Sequence, residues 1–500
     1  MPKFPQTRAS GPVPAIVLDT LLDRARTLHA NGDRDEVRSI CRRILGDQPA
    51  HARAMHLLGL SLARDGLLPE AIGWFEKSVR ISPGSFEGWM ALGDTLGAEG
   101  AMERSLDSYD RAAALQPRNG EALFRRAGTL YFLGRFALAA AAYETVLTLT
   151  PNTARIANNR ALALFWSGRR NEAYDHLNAA IALDPTHVHA RFNKSNFQLT
   201  EGDLANGFRG LEERWNQPGT ATTRRKFAQP LWLGESSLAG KTILLHWEQG
   251  FGDTIQFCRY ATLAAEAGAR VILDVQPALA ALMRSLRGAI SVITSEDETP
   301  SFDLQCPLMS LPLAFGTTLS TIPATSPYLC ADPSRGTQAR SVRPRVGLAW
   351  SSNRFAGDAK FATMGQRKSM PLAALAPLAG LNCDFVSLQI GPGGQEAADP
   401  PPGMVLRNDT GRIRDFADTA ALIETLDLVI SVDTAAAHLA GAMGKPVWML
   451  NRFETCWRWL LDRDDSPWYP TMRQFRQPEP GDWTSVVARV TDALRDFTRS

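Results

Sequence analysis

The chain is predicted to be an α + α/β multidomain protein, in which an array of helical hairpins precedes two lobes built on parallel sheets. Three observations predict it. Pro49, Pro83, Pro117, Pro151 and Pro185 recur at one interval of 34 residues, the period of a helix–turn–helix repeat. From Leu231 onward short apolar runs alternate with helical stretches, which implies parallel strands with ligands at their carboxyl ends. Within that half, Ser431-Val-Asp-Thr-Ala-Ala-Ala-His438 reads as the end of a buried strand, a tight turn and a helix start.

Five hundred residues exceed one core, so two to four domains are expected. With 44% apolar and 21% charged residues and a net charge of +2, the composition gives no nucleic-acid or polyanion partner by itself. Cys41, Cys258, Cys306, Cys330, Cys383 and Cys456 are scattered without a Cys-x-x-Cys pair. That argues against a zinc site or disulfide framework and for a reducing, cytoplasmic location. No apolar run reaches the ~18 residues of a membrane span. Residues 1–17 begin with a proline-rich stretch lacking an apolar core and are expected to form a disordered tail, not a signal peptide.

The repeats occupy residues 18–215, starting at Leu18, Ala52, Phe86, Gly120, Ala154 and Val188. A small residue sits in each first helix (Ala25, Gly59, Gly93, Ala127, Ala161, Ser195) and a bulky one in each second helix (Cys41, Phe75, Tyr109, Tyr143, Leu177, Leu211). The small side chain lets helices approach and the bulky one fills the gap between repeats. This is a tetratricopeptide pattern of about six repeats, whose groove is expected to hold a protein or peptide. Asn158, Asn159, Asn193 and Asn196 lie at groove-facing positions, and an amide both donates to and accepts from a peptide backbone. The alternative is that these four are solvated helix-face residues. The row resembles the Asn ladder of O-linked N-acetylglucosamine transferase.

Residues 216–230 combine turn residues with charge and form a linker. The first lobe is expected over 231–331, with strands at 242–247, 270–275, 291–294 and 303–306. A link at 332–344 precedes the second lobe, 345–500, with strands at 346–350, 385–389, 404–406, 426–432 and 447–450. A closing helix, Trp483–Phe497, is expected to pack back across the lobes.

In the first lobe, Glu248-Gln249-Gly250-Phe251-Gly252-Asp253 follows the first strand. The glycines allow a tight turn, but Ile255 stands where a dinucleotide fingerprint wants a third glycine. Asp253 is read either as a site carboxylate or as a plain N-cap, and Glu248 and His246 as site groups or strand-end hydrogen-bonding residues. In the second lobe, Asp433-Thr434 supplies N-cap chemistry to a small-residue helix whose N-terminus suits a phosphate. Ala435 is small enough to let the anion approach, and His438 shares the helical face of Thr434. The segment from Asn451 to Arg473 holds Trp457, Arg458, Trp459, Trp468 and Tyr469. It is read as a sugar or base clamp, or as packing under a long loop.

Gly250-x-Gly-Asp253, Gly347-Leu-Ala-Trp350-Ser-Ser-Asn353, Arg367-Lys368-Ser369 and Asp433-Thr434-Ala-x-x-His438 with Gly444-x-Pro446 appear in that order. As a set they resemble the GT-B glycosyltransferases of the heptosyltransferase type, with two Rossmann-like lobes. Together with the tetratricopeptide array, the chain resembles bacterial transferases that glycosylate flagellin or other proteins. The resemblance implies a nucleotide-sugar donor as substrate, transfer to a Ser or Thr hydroxyl, and neither a cofactor nor a metal. It implies Asp253 as the base, and Lys368, Asp433, Thr434, Ala435, His438, Trp350 and Asn353 around the donor. Glu248, Gln249, Gly252 and Arg458 would lie toward sugar or acceptor. Arginine is common in the family where Lys368 stands, so Arg367 and Lys368 are alternative phosphate ligands. The flagellin-modifying relatives imply a nonulosonic acid carried on CMP, with UDP, GDP and ADP donors equally open. The contrasting readings are a non-catalytic adaptor that keeps the fold, and a transferase for a saccharide or lipid-linked acceptor.

Overall fold

The computed structural model describes residues 15–151, 153–217, 224–288, 290–335, 342–352 and 365–499. The chain divides into two units, one reaching Ala173 and the other beginning at Tyr174. Among the described residues, no helix is long and apolar enough to cross a membrane.

Among the described residues, twelve helices follow one another up to Leu211: α1 (Ala15–Asn31), α2 (Arg34–Asp47), α3 (Ala52–Arg64), α4 (Leu68–Ile81), α5 (Phe86–Glu99), α6 (Met102–Leu115), α7 (Gly120–Phe132), α8 (Phe136–Leu149), α9 (Ala154–Trp166), α10 (Arg170–Leu183), α11 (Val188–Glu201) and α12 (Leu204–Leu211). Five of the six expected repeat starts coincide with helix starts. The first helix opens three residues early, at Ala15, so the expected tail reaches into it; Met1–Pro14 lie outside the described residues.

The small and bulky positions interlock. A Cβ on Gly59 would come within 2.8 Å of the Phe75 ring, and one on Gly93 within 2.7 Å of Tyr109. Turns inside the repeats use a glycine at the same 34-residue spacing, seen as Gly66 and Gly100 at φ 75° and 88°. That left-handed conformation favours glycine and ends the first helix of each hairpin sharply.

The second unit holds α11, α12 and two all-parallel sheets. The first sheet runs β3-β2-β1-β4, with β1 (Thr242–His246), β2 (Arg270–Asp274), β3 (Ile290–Ile293) and β4 (Leu304–Pro307). Between its strands lie α13 (Phe251–Phe257), α14 (Arg259–Glu266) and α15 (Pro277–Met283), followed after β4 by the single turn α16 (Leu311–Ala314). The second sheet runs β10-β9-β8-β5-β6-β7, with β5 (Arg345–Ala349), β6 (Asp384–Ser387), β7 (Leu406–Arg407), β8 (Leu428–Val432), β9 (Val447–Asn451) and β10 (Met472–Arg476). Its helices are α17 (Phe416–Glu424), α18 (Ala435–Ala442) and α19 (Trp483–Phe497). The central strands β5 and β8 are buried at every residue, as two-sided coverage of a parallel sheet requires.

Three expectations are corrected. Residues 472–476 form a strand that was not among those expected, closing the edge that β9 leaves with a further parallel strand. The strand at 404–406 shrinks to the two-residue β7, since an edge strand next to the short β6 has few partners. The closing helix α19 does not cross both lobes: Val486, Val487, Val490 and Leu494 pack with Val346, Leu348, Leu428 and Ile430 of the second sheet.

One hydrophobic cluster links the sixth helical hairpin to both sheets. Leu199, Leu204, Phe208 and Leu211 join Ile243, Leu245, Phe257, Val429, Met449, Trp457 and Trp468 in it. Phe208 meets the rings of Trp457 and Trp468 edge-on at 5.6 and 6.4 Å. The N–H of Leu461 donates to the carbonyl of Thr200 at 3.0 Å.

Candidate active site

The carboxyl ends of β1 and β8 each feed a helix, and these helices, α13 and α18, meet. A Cβ on Gly252 would stand 2.9 Å from Cδ2 of His438, so only glycine lets the β1–α13 turn close on the histidine. The motif glycines therefore bring the two lobes' candidate residues to one place.

Asp253 is at the third position of α13. Its Oδ2 accepts from the Gly250 N–H at 3.0 Å, and its Oδ1 is ion-paired with Arg458. Asp253 thus serves as the N-terminal partner of its own helix and as a cleft carboxylate at once. The Arg458 guanidinium packs over Trp457 at 4.3 Å and donates to Cys456 Sγ at 3.2 Å. Burial opposes its charge, but Asp253 outweighs that and raises its pKa, so it stays a cation.

On α18, Thr434 holds the N-cap position without capping. Its hydroxyl instead exchanges a 2.9 Å hydrogen bond with Ser431. That corrects the expected capping role and leaves the first-turn N–H groups, with Ala435 beside them, uncapped by a side chain. Lys368 Nζ lies 3.1 Å from Asp433 Oδ2. Burial would raise the Asp433 carboxyl, but Lys368 and His438 outweigh it and hold it well below the usual carboxylate range. Asp433 was expected among the phosphate ligands. As a fixed anion it repels phosphate, and the contact it makes is to position Lys368.

His438 is 4% exposed. Its Nδ1 lies 2.8 Å from the Tyr469 hydroxyl and its Nε2 4.0 Å from Asp433 Oδ1. The carboxylate, an acceptor only, favours the tautomer with hydrogen on Nε2, leaving Nδ1 to accept from Tyr469. Burial lowers its pKa to about 4, against the upward pull of Asp433, so the ring is neutral near pH 7.

The two alternative cations separate. Arg367 pairs with the buried Glu454 at 2.6 Å, whereas Lys368 sits beside the α18 N-terminus. Trp350, expected to face the cleft, is fully buried in the second sheet's core. Its backbone N–H donates to Gln389 Oε1 at 2.9 Å. Asn353 lies outside the described residues. Glu248 is also committed elsewhere: Arg214, 3% exposed, binds it through two nitrogens at 2.8 and 3.0 Å, and the Met309 N–H donates to it at 3.0 Å. That corrects its expected sugar or acceptor role. Gln249 is exposed, and its carbonyl accepts from Gln276 at 3.0 Å.

Of the groove residues, Asn158 is buried and donates to Asn159 at 3.0 Å, while Asn196 donates to the Phe192 carbonyl of its own helix at 2.9 Å. Asn193 is half-buried. The first pair belongs to the first unit and the second pair to the second.

Sequence reasoning missed Arg214 and Gln389, which are single residues in unpatterned stretches. Tyr469 lay inside the flagged aromatic segment, and a polar-tipped ring two residues after a proline was its one signal.

Residues 22–86, 90–154 and 129–186 match the tetratricopeptide repeat model, and residues 411–452, which contain Asp433, Thr434 and His438, match glycosyltransferase family 9 (heptosyltransferase). Over 345 residues, 62% of this chain, the sequence is 26% identical to Protein FlbA of Caulobacter vibrioides, and the match spans 55% of that protein. Among solved structures, the chain is similar to YrrB, described as a TPR protein with an unusual peptide-binding site (22% identity, 35% of this chain, 90% of that one, TM-score 0.34). It is also similar to MamA (22% identity, 35% and 94% coverage, TM-score 0.33). The chain thus joins tetratricopeptide repeats to a stretch of glycosyltransferase family 9 sequence.

Proposed function

We propose that this protein is a GT-B glycosyltransferase that moves a sugar from a nucleotide-sugar donor to a hydroxyl of a protein acceptor brought by the repeats. The observation that carries the reading is the approach of the β1–α13 turn to His438 at Gly252, which sets Asp253, ion-paired with Arg458, on the side of the Lys368–Asp433 pair. In this reading the donor phosphates lie at the α18 N-terminus, against Lys368. Both the ammonium and the free N–H groups stabilise charge that grows on the leaving nucleotide.

The acceptor oxygen attacks the anomeric carbon as the bond from that carbon to the phosphate oxygen breaks. The electron pair of the broken bond leaves with the nucleotide. The hydroxyl proton passes to Asp253, which has lone pairs beyond those engaged by Arg458 and Gly250. His438, neutral and held by Tyr469, lies with Nε2 on the Asp433 side of the seat, 4.0 Å from that carboxylate. A nucleotide-sugar donor would favour a cytoplasmic location, which belongs to the same reading.

The test is thermal stabilisation by CMP, UDP, GDP and ADP. A ligand at ten to a hundred times its dissociation constant adds about 1.4–2.7 kcal/mol to the folded state. A shift with one nucleotide that disappears in Lys368→Ala supports the donor seat and gives its base. No shift with any of the four overturns the reading in favour of an adaptor.

A further inference from the structure

We propose that the first unit docks an extended acidic segment of a partner protein across its second helices, anchored by an apolar side chain. The surface in question is formed by α4, α5 and α6, where a cavity of about 930 Å³ opens. It stands on the first unit alone and does not depend on the transferase reading.

The floor of the cavity is apolar. Val79 and Leu92 are buried at its base, and Leu115 is 42% exposed at its edge. The Trp89 indole N–H is already spent on the Pro83 carbonyl at 2.8 Å, so Trp89 offers its ring, not a donor. A partner's Leu or Phe side chain fits such a floor.

The rim is cationic. Lys77, Arg80 and Arg111 line it, and none of them has an ion-pair partner among the described residues. The one rim carboxylate, Glu76, is paired with Arg104. The repeat period adds direction. Lys77 and Arg111 are one period apart, and one period before Lys77 stands Arg43 of α2, also exposed. Three consecutive second helices therefore carry a cation at the same position, and the series stops at Thr145. A linear series of cations beside an apolar cavity matches an extended chain with spaced carboxylates. A compact inorganic anion would leave the floor unfilled.

The experiment uses the full-length protein and fluorescence anisotropy of a labelled twelve-residue peptide of Glu, Asp, Leu and Phe. A second peptide carries Gln and Asn in place of the acids. The acidic peptide is expected to bind at least tenfold more tightly than the amide one. Lys77→Glu combined with Arg111→Glu should weaken it at least tenfold, and Leu115→Ser several-fold. These residues are exposed, and unchanged melting curves would show that the variants fold. Equal affinity for both peptides, or an acidic peptide indifferent to the charge reversals, overturns the proposal. Loss on charge reversal with no effect of Leu115→Ser would mean diffuse attraction without a seat, and overturns it as well.

Discussion

Arg458, in the loop after β9, and Asp253, at the start of α13, form an ion pair between the two sheet regions of the second unit. The candidate base is thus held in place by the partner lobe, not by its own helix alone. Replacing Asp253 with Asn keeps the shape and removes the proton acceptor. Transfer to acceptor, followed by mass spectrometry, should fall by about 10²–10⁴-fold, while nucleotide-dependent melting stays as in the wild type. Unchanged turnover would remove Asp253 from the role.

The Gly252 contact makes a sharper geometric claim. In Gly252→Ala the new methyl would meet His438 at 2.9 Å, with both flanks fixed by helices. The strain should cost about 1–3 kcal/mol and separate α13 from α18, lowering transfer. Gly250→Ala is the control, because its methyl meets only Asp253 Oδ2 at 3.5 Å. Equal losses in the two variants would show that the glycines serve the turn and not the approach.

Arg214 binds the buried Glu248 carboxylate, with the partly exposed Glu212 and with Ser310 completing the set. Removing one member leaves an uncompensated buried charge, so Arg214→Ala should cost about 3–5 kcal/mol in chemical denaturation. Arg214→Met combined with Glu248→Gln removes both charges and should recover much of that loss. Additive costs in the double variant would refute the coupling.

Stability should also depend on pH through the buried histidines. Burial holds both His246 and His438 at about 4, below their ordinary 6.5. Between those values the unfolded chain binds protons that the native one does not. Their contribution is complete above about pH 6.5 and declines as pH falls toward 4. At its steepest the slope is about 1.4 kcal/mol per pH unit for each ring. The Glu248 and Asp274 carboxyls, raised by burial, run the other way. Urea unfolding at pH 7 and pH 5 should therefore show a smaller acid loss in His246→Gln than in the wild type. The same loss in both would contradict a depressed His246.

Truncation tests the shared core. A chain starting after Leu183 keeps α11 and α12 and should melt cooperatively. A chain starting after Trp215 loses Leu199, Phe208 and Leu211 from beneath Trp457 and Trp468 and should not. Phe208→Ala alone should cost about 3–5 kcal/mol. Cooperative melting of the shorter chain would show that the α/β core is self-sufficient.

The repeats were legible because a 34-residue period is redundant: helix starts, small residues and bulky residues all report it. Apart from β10, the strands were legible to within one or two residues because buried parallel strands are continuous apolar runs. The site was legible only in part. Spacing placed Asp253 and His438 on helix starts. That Gly252 touches His438, or that Lys368 rather than Arg367 borders α18, depends on packing between segments far apart in sequence. Glu248 shows the limit best. A carboxylate two residues before a glycine turn looks catalytic until the fold brings Arg214, thirty-four residues earlier, against it. Trp350 failed for a similar reason, since the sheet's cover, and not the sequence, decides whether a strand's last residue faces core or cleft.

The hydrophobic cluster that runs from α11 and α12 into both sheets has an evolutionary corollary. Recombination can exchange, add or remove hairpins upstream of Val188 and leave the α/β core's own contacts intact. The final hairpin is barred from that traffic, because its apolar side is already complementary to one particular set of tryptophans. Homologues should therefore vary freely in repeat number while the last hairpin co-evolves with the segment around Trp457 and Trp468. Grafting new recognition repeats onto this protein would need its splice point in the α10–α11 region.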